Sequence, residues 1–130
     1  QCGDEAQWSI EIAVDDAVLV ADRIKVRQAL RNLIANACDA QPQGGAVRVS
    51  ANRVESGVEF RVSDAGPGLR PQDIHRLCDP FFTTRADGTG LGLALVQRVA
   101  QLHAGVFEPD SRPADLGGAS FAFTIPSQRA

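Results

Sequence analysis

Apolar and polar residues alternate from Trp8 toward Val14, the period-two signature of a half-buried strand, and Asp15-Asp16 turns the chain after it. The period then changes. Val26, Ala29, Leu30, Leu33, Ile34 and Ala37 recur at three- and four-residue steps, which predicts a helix capped by Asp22 and running to about Ala40. Pro42-Gln43-Gly44-Gly45 ends it. Val47, Val49 and Ala51, then Val58, Phe60 and Val62, alternate on either side of Glu55-Ser56-Gly57 and predict a β-hairpin. A second helix is expected from about Leu91 to His103, with Leu91, Leu95, Val99 and Leu102 on one face and Gly105 as its stop. Ala119, Phe121, Phe123 and Ile125 read as a last core strand, closed by Pro126. Hairpins among interleaved helices predict an α+β fold: a two-layer α/β sandwich whose mixed, mostly antiparallel sheet packs on about three helices.

Between Asp64 and Gly90 neither period holds. The segment is rich in Gly, Pro, Asp and Thr, with only a short helical stretch around Gln72 to Leu77. A connection this long inside a small domain is usually a binding loop or a lid. Composition sharpens the point, because five of the twelve glycines fall between positions 66 and 92. The whole chain is 130 residues, 44% hydrophobic and 22% charged, enough for one domain with one core. A net charge of −3 lacks the basic footprint of a protein that tracks nucleic acid. Lys25 is the lone lysine and no glycine turn precedes it, which excludes a P-loop. Cys2, Cys38 and Cys78 form no C-x-x-C, so a disulfide framework or zinc site is not expected, and a reducing, cytoplasmic setting fits better. No apolar run reaches membrane-span length and no signal peptide opens the chain. The absence of Met suggests an excised piece of a longer protein, soluble or membrane-anchored.

Four features carry candidate chemistry. Asn32 and Asn36 lie one turn apart on the first helix. They read either as a solvated polar face or as an amide pair facing a ligand, with a carbonyl oxygen for a hard cation such as Mg²⁺. Asp64-Ala65-Gly66-Pro67-Gly68 follows a strand directly; it is either a plain turn or an acceptor with glycines that let a ligand approach the backbone. Gly88-Thr89-Gly90-Leu91-Gly92-Leu93 opens the second helix, where free N–H groups and the helix dipole favour phosphate, although a structural hinge is the alternative. Its G-x-G-x-G spacing is not the dinucleotide fingerprint. Thr83, Thr84 and Arg85 upstream supply hydroxyls and a permanent cation for phosphates. Phe81-Phe82 in the same polar segment is a hydrophobic plug or an anchor that moves with a lid.

Taken in order, these pieces resemble the catalytic and ATP-binding domain of bacterial two-component sensor histidine kinases, within the gyrase, Hsp90, histidine kinase and MutL group that shares the Bergerat fold. The likeness covers about residues 20 to 126. Asn32-Leu33-Ile34-Ala35-Asn36-Ala37 resembles the N box, Asp64 to Gly68 the G1 box, Asp79-Pro80-Phe81-Phe82-Thr83-Thr84-Arg85 the F box, and Gly88 to Leu93 the G2 box. Gly117-Gly118-Ala119-Ser120-Phe121 resembles the closing glycine motif. The resemblance implies that Asn36 ligates Mg²⁺ on the triphosphate with Asn32 nearby, and that Asp64 accepts from the adenine amino group over Gly66 and Gly68. It also implies an ATP lid from Leu69 to Thr89, with Phe82, Thr83, Thr84, Arg85, Gly88, Thr89, Gly90, Leu91 and Gly92 at the nucleotide. ATP and Mg²⁺ are thus the implied cofactors, with Asn32, Asn36 and Arg85 the implied catalytic residues. The spacing from Thr83-Thr84-Arg85 to the G2 glycines resembles the nitrogen-regulatory and oxygen-sensing subgroup.

Departures from the family pattern matter. Position 32 is Asn where ATPase relatives carry a Glu that activates water, so phosphoryl transfer to a side chain is expected over hydrolysis. Asp39 stands where many of these kinases have Lys, and Arg85 where the F box often has Lys. His75 and His103 are the two histidines, and neither carries the flanking residues of the family's phosphoacceptor; surface or capping roles are expected for both. The expected partners are therefore the dimerisation and phosphoacceptor domain of the same protein and a downstream response regulator, with no nucleic acid, no membrane contact and a monomeric state when isolated. An anti-sigma-factor-type Ser/Thr kinase and a nucleotide-gated, non-enzymatic interaction module are the rival readings.

Overall fold

The structure is a computed structural model that describes residues 8–14, 21–68, 92–110 and 117–126. Its elements run β1 (Trp8–Val14), α1 (Arg23–Asp39), β2 (Gly45–Val54), β3 (Gly57–Asp64), α2 (Gly92–Leu102), β4 (Val106–Asp110) and β5 (Ser120–Pro126). The five strands form one sheet in the order β1-β2-β3-β5-β4. β1 pairs parallel with β2, Trp8 opposite Gly45, whereas every other pairing is antiparallel. The mixed sheet and the α+β two-layer class follow the pattern of the sequence. Two helices are present among the described residues; the helical stretch expected around 72–77 lies outside them.

The inner layer is set by alternation. Val47 on β2, Val58 and Val62 on β3, and Phe121, Phe123 and Ile125 on β5 point toward the helices and are buried, as their spacing requires. Phe60 stacks on Phe123 with ring centroids 4.9 Å apart, and Phe107 on Phe121 at 6.1 Å. From α1 come Ala29, Leu33, Ala37 and Cys38, with Val26, Leu30 and Ile34 at the margin. Fully burying a side chain such as Leu33 or Phe123 is worth roughly 1.5–3 kcal/mol relative to leaving it exposed. α1 begins where expected: Asp22 has extended backbone angles and its carboxylate accepts from the N–H groups of Ile24 and Lys25, both at 3.1 Å.

Three details differ from the sequence pattern. α2 buries Val96, Val99 and Ala100, with Leu93 at the margin, whereas Leu102 is 53% exposed. The stripe is rotated about one position from the Leu91-Leu95-Val99-Leu102 line, because a helix this rich in Leu, Val and Ala offers two overlapping apolar stripes and only contact with the sheet selects one. β4 has no counterpart in the sequence pattern, and Pro109 is tolerated within it because β4 is an edge strand. Finally, the helix stop is not made by Gly105. Ala104 takes the left-handed conformation (φ 57°), its N–H donating to Gln101 O and that of Gly105 to Ala100 O, a complete Schellman motif. Gly105 is required for another reason: a Cβ there would collide with the Thr124 carbonyl of β5.

Candidate functional site

α1 is the spine of the site. Asn32, Asn36 and Ala40 follow one another at four-residue steps and so lie along one side of the helix. At one end of this line, Asn32 Nδ2 donates to the Gly92 carbonyl at the start of α2, 3.4 Å away. At the other, Ala40 caps α1 and packs against Gly66, where a Cβ would stand 2.9 Å from the Ala40 carbonyl oxygen. Asn36 falls midway, half-buried and engaged in contacts of its own. One amide thus sits one helical turn, about 5–6 Å of rise, from both the β3 turn and the head of α2. Sequence reasoning placed these three motifs near one another; the structure supplies the helix that joins two of them to the third.

Asp64 ends β3 on the inner face and is 1% exposed. Its Oδ1 accepts from the backbone N–H of Gly66 at 2.9 Å and from that of Ala119 at 3.0 Å. Its own backbone is bonded as well: Asp64 N–H donates to Ala119 O at 2.9 Å, and Gly118 N–H donates to Asp64 O at 3.0 Å. Burial pushes the Asp64 carboxyl up from its ordinary value, and the two N–H donors pull it part of the way back. No side chain fits at position 118, since a Cβ there would overlap the Asp64 carboxylate and lie 2.5 Å from Asp64 O and 2.6 Å from Gly66 N. The closing glycine is therefore a piece of this site, pressed against the acceptor. Gly68 completes the turn with φ +84°, a conformation that favours glycine.

Of the other residues expected at the site, Gly92 is described, exposed at the head of α2. Leu69, Phe82, Thr83, Thr84, Arg85, Gly88, Thr89, Gly90 and Leu91, and with them the expected lid, lie outside the described residues. Asp39, the departure from the usual Lys, is exposed at the end of α1. His103 closes a helix junction away from Asp64: its Nε2 accepts from Asp22 N–H at 3.0 Å while Nδ1 lies 2.8 Å from Val99 O. Both ring nitrogens thus meet backbone at helix ends, the capping role expected for it. Sequence reasoning missed Gly118 and Ala119 as direct partners of Asp64, because the pairing of β3 with β5 that joins them carries no local signal.

Among the described residues no group of three His, Cys, Asp or Glu side chains is gathered to hold a metal. The described residues thus set a buried acceptor, Asp64, at one end of this line, an amide, Asn36, in the middle and the head of α2 at the other.

Residues 21–129 match the family described as histidine kinase-, DNA gyrase B- and HSP90-like ATPases, and the chain belongs to that family. Within it, the likeness is to histidine kinase catalytic domains. The sensor histidine kinase ZraS of Klebsiella oxytoca is 37% identical over 107 residues, 82% of this chain but only 23% of that protein. The solved mycobacterial sensor histidine kinase MprB superposes with a TM-score of 0.82 at 29% identity, covering 95% of this chain and 86% of that one. Full-length ShkA, solved in complex with AMPPNP, gives a TM-score of 0.79 at 32% identity over 95% of this chain and 26% of its own. The chain therefore spans under a quarter of the sensor kinase ZraS. No helix among the described residues is long and apolar enough to cross a membrane.

Proposed function

We propose that this domain binds Mg-ATP and donates the γ-phosphoryl group to a histidine on a separate dimerisation domain of the same protein, for onward transfer to a response regulator. The observation that carries the reading is the line Asn32-Asn36-Ala40, which runs from the head of α2 to the Asp64–Gly66 turn. Asp64 would accept from the adenine amino group, with Gly66 and Gly68 keeping the approach open. Asn36 would contribute an oxygen to the ion, and the ion when bound would neutralise phosphate charge. Thr83, Thr84, Arg85 and the segment from Gly88 to Gly92 would meet the phosphates. In the transfer, the bond from the γ-phosphorus to the bridging oxygen breaks, a nitrogen–phosphorus bond forms and ADP leaves.

Asn32 supports transfer over hydrolysis, because an amide cannot take a proton from water at neutral pH, which also weighs against the Ser/Thr-kinase reading. The domain's contribution is to hold the nucleotide still and in line. Asn36→Ala is the direct test: calorimetry should show Mg-ATP affinity falling roughly tenfold or more, a loss of at least about 1.4 kcal/mol, while the melting temperature stays near that of the parent. Unchanged affinity would remove Asn36 from the metal site. Residues 1–130 incubated alone with labelled ATP should carry no label on His75 or His103.

A further inference from the structure

Ser63 and Ser120 face each other as the last pair of the β3–β5 ladder. Alternation puts both on the outer face of the sheet, opposite Asp64, yet Ser63 is 6% and Ser120 2% exposed. Their hydroxyl oxygens are 3.1 Å apart. Arg61, two residues back on the same face, donates through Nη1 to Ser120 Oγ at 2.9 Å. Its guanidinium is steadied by Glu59, with Nε 3.4 Å from Oε1 and Nη2 3.5 Å from Oε2. Glu59 and Arg61 also line a cavity of about 550 Å³ on this face, together with Val106, Glu108, Ala122 and Thr124.

A serine pair across two strands is ordinarily worth a few tenths of a kcal/mol to about 1 kcal/mol of sheet stability. Its position here gives it more to do. Ser63 immediately precedes Asp64, and Ser120 immediately follows Ala119. The bonds that aim the Asp64 carboxylate, from Ala119 N–H to Oδ1 and from Asp64 N–H to Ala119 O, join these same two strand ends. A slide of β5 against β3 at this rung would carry the Ala119 donor away from Oδ1.

We infer that Arg61, Ser120 and Ser63 are positioning residues for base recognition, locking the end of the β3–β5 ladder from the outer face so that Asp64 presents a fixed acceptor on the inner one. The inference rests on the reading of Asp64 as the adenine acceptor. Its test compares ATP with purine riboside triphosphate, which lacks the 6-amino group, by calorimetry on the parent, Ser120→Ala and Arg61→Met. The second variant keeps bulk at a half-exposed position and so guards against a folding defect at the buried serine.

In both variants ATP affinity should fall about 3- to 10-fold, the scale of one lost hydrogen bond, while affinity for the analogue moves less than about twofold on the same scale. The parent's preference for ATP then shrinks in each. Equal weakening of both nucleotides, or no weakening of either, overturns the inference, since a purely structural role would not discriminate by the amino group. A parent that binds both nucleotides equally sinks the adenine reading of Asp64 itself, and the positioning role with it.

Discussion

The two ends of α1 are closed with the same kinds of parts and differ in one. At the N-terminal end His103 accepts from Asp22 N–H, and Gly105 presses against the Thr124 carbonyl. At the C-terminal end Asp64 accepts from Gly66 and Ala119 N–H, and Gly118 presses against Asp64. Each end thus brings a titratable side chain from another element against backbone, and a glycine with no room for a Cβ. The imidazole has both ring nitrogens engaged with backbone. The carboxyl is buried and destabilised as a charge, and two N–H donors only partly offset the loss of water. A junction that merely had to close would need no such group. A buried acceptor kept at an energetic cost is what the proposed adenine contact at Asp64 requires.

The harshest way to break the C-terminal end is Gly118→Ala. Backbone atoms of Asp64 and Gly66 would have to move, which should destabilise the domain by about 1–3 kcal/mol and abolish measurable ATP binding. Urea midpoints and calorimetry read the two effects, and a variant that melts and binds like the parent would refute the packing account of this glycine.

Asp64→Asn is gentler and separates stability from function. The amide oxygen can still accept from Gly66 and Ala119, but the neighbouring NH₂ would oppose an adenine amino group, so ATP affinity should fall roughly tenfold or more. Stability should move the other way. The folded-state carboxyl sits above its unfolded value, so its contribution is fully present below about pH 3.8 and is lost as pH rises through the folded pKa. The Asn variant escapes that loss: it should melt higher than the parent at pH 7, with the gain shrinking toward pH 3.8. A gain independent of pH would contradict desolvation as the cause.

The mildest change sharpens the contrast from the other end. Ala104→Gly relieves a left-handed alanine, worth about 1–2 kcal/mol, against a loss of roughly 0.4–1 kcal/mol from a more flexible unfolded chain. A net gain of about 0.5–1 kcal/mol is expected, with ATP affinity unchanged because Ala104 lies outside the proposed nucleotide contacts.

Strands and α1 were legible because their apolar residues repeat with one period and have one face to bury. The Asp22 cap and the 47–51 and 58–62 hairpin follow directly from that. β4 was not legible, since a five-residue edge strand containing Pro109 is held by its neighbour β5 and not by its own composition. The α2 face was only half legible: Val99 lies in both apolar stripes, and the sheet chose the one through Val96 and Ala100. In the site, the two Asn residues and Asp64 could be picked out by type and spacing. That Gly118 and Ala119 close on Asp64 could not, because 55 residues separate Ala119 from Asp64 and the pairing of β3 with β5 is what joins them.

The line of Asn32, Asn36 and Ala40 makes α1 a gauge. From the residue touching Gly92 to the residue touching Gly66 the helix rises about 12 Å, and that span is fixed by its hydrogen-bonded helical backbone. Loops at either end are therefore free to vary in length and sequence without changing the reach of the site. A single residue added between positions 32 and 40 would have a different result. It would lengthen the gauge by only about 1.5 Å but swing its far mark by about 100°, turning one end away from the other.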